Sequence, residues 1–181
     1  MGFSENTSDM RKSLASKYRQ GRLESRRATR PYVVQASAVH GKGVFAIRRI
    51  PAGTLIVEYK GERIAWQEAQ ARAEEKGGPV SHTYFFSLAD GRVIDGESKG
   101  NEARFINHSC EPNCEPLEHE GGRVYIYALR DIEPGEELSY YYALIYEGRH
   151  TQALKRAFAC RCGSPACSGT MLAPKQRAGK R

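Results

Sequence analysis

The sequence predicts a mostly β fold built from several small sheets. Apolar runs a few residues long are repeatedly cut by Gly and Pro, and only one stretch has the composition of a long helix. Eighteen Gly and eight Pro supply the turns, and a 40% hydrophobic share marks a globular chain rather than a disordered one. At 181 residues the chain suits one domain with a real core.

The elements follow in order. Residues 1–30 are polar and basic; Leu14, Tyr18 and Leu23, spaced near four, would share one face of a short helix. Strands are expected at 32–35, at 43–47 behind Gly41 and Gly43, and at 55–59 after the turn Pro51-Ala52-Gly53. Residues 65–76 (AWQEAQARAEEK) are rich in good helix formers, and Gly77-Gly78-Pro79 stops them. Further strands are expected at 83–88, 93–95, 124–129 and, after the Glu133-Pro134-Gly135-Glu136 turn, 138–142. Residues 146–158 read as a second helix, and the chain after Leu172 reads as a basic tail.

The net charge of +7 is unevenly spread. Residues 1–30 hold eight Lys/Arg against three Asp/Glu, and 160–181 hold five against none. The stretch between them carries fifteen against eighteen, so an acidic core sits between two basic ends. The ends read first as solvated tails, with a weak contact to nucleic acid as the sharper expectation. The acidic core suits a basic protein or peptide. No apolar run reaches the roughly 18 residues of a membrane span. The first residues lack a signal peptide's apolar stretch, and Asn6 stands where a myristoylation motif needs Ser or Thr. The expectation is a soluble intracellular protein with no membrane partner.

Five cysteines are present, three of them in a C-x-C-x4-C cluster: Cys160, Cys162 and Cys167. Gly163, Ser164 and Pro165 allow the sharp turn that would make three thiolates converge. Zinc favours four tetrahedral ligands, commonly all cysteine in a closed structural site. The fourth would be Cys110 or Cys114, and spacing does not choose between them. An odd count without an export signal argues against disulfides. A nucleic-acid-binding zinc protein would account for the cysteines and the basic ends, but not for the polar cluster at 101–114, NEARFINHSCEPNC. There Asn101, Asn107, His108, Ser109 and Asn113 surround Phe105-Ile106, a density of polar groups suited to a loop that hydrogen-bonds a ligand.

RFINHSCEPNC resembles the central signature of SET-domain lysine methyltransferases, and other segments agree in order and spacing. HGKGVFA (40–46) is similar to the family's N-terminal glycine motif, and PAGTLIVEYKGERI (51–64) to the strand after it. TYFFSLADGRVIDG (83–96) resembles the strand pair before the signature, GEELSYYYA (135–143) the segment of the catalytic tyrosine, and CRCGSPACSGTM (160–171) a post-SET zinc segment. The match covers about residues 30–172 and is nearest the trithorax-like branch. Tyr141 departs from the Asp that many members carry between two aromatics, Lys42 replaces a frequent aromatic, and there is no cysteine-rich segment before the domain.

The resemblance implies a SET-domain fold with a short helical insert and a zinc-bound post-SET segment. It divides the chain into a basic tail (1–30), a SET domain (31–145), a post-SET region (146–172) and a second basic tail (173–181). It implies transfer of a methyl group from S-adenosylmethionine to a lysine of a basic protein, a histone or histone-like protein. The rival expectation is an inactive SET-like module that only holds a basic peptide. The implied cofactor-binding residues are His40, Gly41, Lys42, Gly43, Tyr84, Arg104, Asn107, His108 and Tyr142. Tyr142 is the implied catalytic tyrosine, and Tyr140 the residue that tunes how many methyl groups are added. Cys110, with Cys160, Cys162 and Cys167, is the implied set of structural zinc ligands, which leaves Cys114 spare. A histone substrate implies a nuclear, chromatin location in a eukaryote; a bacterial source implies the cytoplasm or delivery to a host.

Overall fold

The computed structural model describes residues 30–76, 84–146 and 148–175. Among these residues ten short strands form four small sheets, as the frequent turns predict. β1 (Tyr32–Ala36) and β2 (Lys42–Ala46) form an antiparallel pair in which Val34 faces Val44. The link between them turns at Gly41, whose φ of 49° is left-handed backbone that glycine adopts without strain.

β3 (Leu55–Tyr59), β8 (Cys114–His119) and β9 (Arg123–Ala128) form an antiparallel sheet in the order β3-β9-β8. Val124, Ile126 and Ala128 of the middle strand are fully buried, the period-two signature of a sheet with one face on the core. Strand β8 went unpredicted. Its sequence, CEPLEH, carries charges and Pro116, which reads as a break. Pro116 is tolerated because β8 is an edge strand.

The third sheet runs β4 (Glu62–Ile64), β6 (Val93–Asp95), β5 (Phe85–Ser87). Helix α1 (Trp66–Glu75) packs on it, burying Ala69 against Ile64 and Val93. Arg72 of α1 reaches the deeply buried Asp95 at 2.7 Å, Glu62 at 2.9 Å and Glu68 at 2.6 Å. The predicted helix is therefore present, one residue shorter at each end. Thr83 and the 77–79 stop lie outside the described residues, as does the proposed N-terminal helix.

A 3-10 turn at Glu102–Phe105 leads into β7 (Asn107–His108), which pairs in parallel with β10 (Ser139–Tyr140). The expected strand at 138–142 shortens to these two residues. Asn113 helps close the pair: its amide donates to the Glu137 carbonyl and its side-chain oxygen accepts from the Ser139 N–H, both at 2.8 Å. Ile50, Ile94, Ile106, Ile126, Ile132 and Leu138 fill the core that these sheets share.

The expected helix at 146–158 reduces to α2 (Gln152–Ala157). Thr151 caps it, accepting from the Leu154 N–H at 3.1 Å, and so fixes its start. The following segment folds back, joining Ala159 to Thr170 and Leu172 to Leu144. Among the described residues no helix is long and apolar enough to cross a membrane.

Candidate functional site

The parallel pair β7/β10 draws three distant segments together. On one side lies the glycine loop, 37–43. Asn107 donates to the Glu137 carboxylate at 2.6 Å and to the Lys42 carbonyl at 3.0 Å. Ser37 donates to the same carboxylate at 2.8 Å. Glu137 is thus the anchor that ties the loop to the sheet. Sequence reading missed it because nothing in the sequence distinguishes it from its neighbours Glu133 and Glu136. Gly43 is required here for close approach: a Cβ would lie 2.3 Å from the Glu137 Oε1.

Above this anchor lies a cavity of about 560 Å³. It is lined by His40, Gly41, Lys42, Tyr84, Arg104, Phe105, Asn107, His108 and Tyr142, with Arg156, Cys160, Arg161 and Met171 from the C-terminal segment. Every residue singled out above for cofactor contact lines it except Gly43, which supports the loop from behind. The Arg104 guanidinium stacks 4.7 Å from the Phe105 ring centre and 5.6 Å from that of Tyr84, and donates to the Gly96 carbonyl. Its Nε is buried without a partner. The volume falls within the range typical of small-molecule sites.

Of the three consecutive tyrosines, Tyr142 alone lines the cavity. Its hydroxyl donates to the Ile106 carbonyl at 2.8 Å, and its N–H donates to His108 Nδ1 at 3.1 Å. Tyr140 is buried behind it, the two ring centres 5.0 Å apart, and Phe86 and Tyr59 continue an aromatic wall. Burial raises both the Tyr142 and the Tyr140 phenols well above the usual tyrosine value, so each stays protonated at neutral pH. Tyr141 packs against His108 instead. Burial also pushes the His108 imidazole down to about 4, so the ring is neutral.

A second cluster adjoins the cavity. The sulfurs of Cys110, Cys160, Cys162 and Cys167 all lie within 4.8 Å of one another. Cys110 Sγ is 3.8 Å from Cys160 Sγ and 4.0 Å from Cys167 Sγ. Tetrahedral bonds of about 2.3 Å to one zinc ion place sulfurs about 3.8 Å apart, so the four fit that ion. The Ser168 and Gly169 N–H groups point at the sulfurs of Cys110 and Cys167. Burial alone would raise the Cys162 thiol, but N–H groups of Cys110 and Ser164 and the neighbouring thiols outweigh it and hold it at about 6. Cys114 lies apart in the core, its thiol pushed up to about 12 by burial. The choice that spacing left open is settled in position: Cys110 joins the cluster and Cys114 does not. All five cysteines are free of disulfides.

The profile of the SET domain matches residues 41–143, more than half of the chain. The chain belongs to the SET domain family. Similar curated proteins carry the name "Histone-lysine N-methyltransferase, H3 lysine-4 specific". The one from Candida albicans is 41% identical over 145 residues, covering 77% of this chain and 14% of its own length. That from Chaetomium globosum is 39% identical over 175 residues, covering 92% and 16%. That from Saccharomyces cerevisiae is 41% identical over 145 residues, covering 77% and 13%. This SET domain chain therefore spans about one-seventh of the length of the curated relatives it matches. The several small sheets and few helices agree with the SET fold expected from the motifs.

Proposed function

We propose that this SET domain transfers a methyl group from S-adenosylmethionine to a lysine side chain of a histone, with the tail of histone H3 around lysine 4 as first candidate. One observation carries the reading: the cavity and the aromatic wall of Tyr140, Phe86 and Tyr59 meet at Tyr142. The names of the relatives support the choice of substrate, and the acidic middle of the chain suits a basic tail. A histone substrate puts the reaction on chromatin. The basic ends, mostly outside the described residues, would add weak attraction to nucleic acid.

The methyl donor supplies an electrophilic methyl on a positively charged sulfur, which a neutral amine displaces in line. Lysine has a reference pKa of about 10.4, so the channel must favour the uncharged amine. Tyr59, Phe86, Tyr140 and Tyr142 exclude water and disfavour the ammonium. Tyr142 keeps its own proton, so it orients the amine and supports developing charge rather than acting as a phenolate base. Alignment supplies most of the rate gain. Asn107, His108 and the glycine loop would hold the donor, with Arg104 Nε free to bind an acceptor atom on it. Cys110, Cys160, Cys162 and Cys167 would hold a structural zinc ion that orders the C-terminal wall.

Labelled S-adenosylmethionine, incubated with the chain and a panel of core histones, basic bacterial proteins and H3 peptides, tests this. Label on a histone lysine supports the reading; saturable cofactor and peptide binding without transfer on any substrate would favour the inactive peptide-holding module. Glu137→Ala strands Asn107 and Ser37 without their shared carboxylate, a charged hydrogen-bond loss of about 1.5–3 kcal/mol. Calorimetry should show cofactor affinity weakened about tenfold or more. In this reading the Tyr140 hydroxyl, behind the Tyr142 ring, would restrain a methylated amine from turning for another transfer. The protein should therefore favour mono- and dimethylation, and Tyr140→Phe should raise the trimethylated fraction seen by mass spectrometry. Efficient trimethylation by the unaltered protein would contradict this.

A further inference from the structure

The two clusters described above meet at one side chain. His108 is almost completely buried, at 3% exposure, between the rings of Tyr141 and Tyr142. Its Nδ1 lies 3.1 Å from the Tyr142 backbone nitrogen, which can only donate, so Nδ1 must accept. With Nδ1 accepting, the ring proton is on Nε2, which lies 3.6 Å from the sulfur of Cys110. An N–H aimed at a thiolate is the kind of outer contact that orients a metal ligand. The backbone adds to the constraint, because His108 stands opposite Tyr140 in the parallel pair and the Ser109 N–H donates to the Tyr140 carbonyl.

We propose that His108 is a positioning residue that links the cysteine cluster to Tyr142 through its two ring nitrogens. The inference rests on the metal and methyl-transfer readings above. One nitrogen holds the Cys110 sulfur in place for the ion; the other holds the backbone from which the Tyr142 hydroxyl projects. The ring itself takes part in no bond making or breaking.

Two substitutions separate the halves. In His108→Gln the amide nitrogen falls where Nε2 was, so the donor to sulfur survives and the acceptor for Tyr142 is lost. In His108→Asn the amide oxygen falls where Nδ1 was, so the acceptor survives and the donor to sulfur is lost. Zinc release from the full chain to a colorimetric chelator reads the first contact, and kcat for methyl transfer reads the second. His108→Asn should release zinc about 10–100-fold faster than the unaltered protein, the usual cost of losing such an outer contact, and His108→Gln should release it more slowly than His108→Asn. On kcat the order should reverse, with His108→Gln the more impaired. Equal effects of both variants on both readouts would mark a merely structural histidine and overturn the proposal. A check that needs no variant is the nitrogen-15 spectrum of the unaltered protein, which should show His108 protonated at Nε2; protonation at Nδ1 overturns the link. An unaltered protein that binds no zinc overturns the metal reading and the link with it. A protein that binds zinc but transfers no methyl overturns the functional reading alone, and zinc release together with the ring tautomer still decides the link.

Discussion

Tyr142→Phe should cut methyl transfer by about 100-fold or more while leaving cofactor affinity nearly unchanged. The expected size is that of removing one preorganised hydroxyl from a water-poor site, about 10²–10³ in rate. Replacement leaves the aromatic wall intact, since Tyr140, Phe86 and the Tyr142 ring itself keep their packing. It strands only the Ile106 carbonyl, which accepts from the hydroxyl at 2.8 Å. Turnover measured beside calorimetric cofactor binding separates the two effects. A variant within tenfold of the parent rate would show that this hydroxyl is not the orienting group. Tyr141→Phe serves as the control, because Tyr141 does not line the cavity and should change the rate far less.

Cys162→Ser should release the metal and free the C-terminal segment while the sheets stay folded. The asymmetry follows from burial. Among the described residues of 148–175, Leu172 alone is buried, and α2 buries nothing. Such a segment has little apolar contact to hold it without the ion, so its local stability becomes the stability of the metal site. The core of Ile50, Ile106, Ile126 and Leu138 is independent of it. Limited proteolysis should cut the variant within 148–175 and spare the remainder, and metal analysis should find no stoichiometric zinc. Transfer should fall steeply, because Arg156, Cys160, Arg161 and Met171 form one wall of the cavity. A chelated protein that keeps full activity and resists protease would overturn this.

Much of the site was legible because its residues have chemistry that is rare in surface loops. Asn107, His108 and the three clustered cysteines stood out by type and spacing, and Tyr142 by motif. The fold was legible where short apolar runs stand between turn residues, as in Leu55–Tyr59 and Arg123–Ala128. It was not legible where function reshaped local sequence. Asn107–His108 read as a loop because both residues are polar, yet they form a strand buried by tertiary pairing. Glu137 was invisible for the opposite reason. Its type is ordinary, and its importance comes from Asn107 and Ser37, 30 and 100 residues away in sequence. Spacing alone left Cys110 and Cys114 open; the resemblance favoured Cys110, and its place in the cluster with Cys160, Cys162 and Cys167 agrees.

The parallel pairing of Asn107–His108 with Ser139–Tyr140 also bears on the order in which the molecule assembles. Parallel neighbours cannot be joined by a tight turn. The chain between them runs out through the β8/β9 hairpin and back before they meet. Contacts between residues so distant in sequence form late, after the entropy of closing large loops has been overcome. The loop at 37–43, strand β7 and Tyr142 are therefore expected to come together late in folding. On that order a partly folded chain would lack a competent site, and methyl-donor binding would report completed assembly.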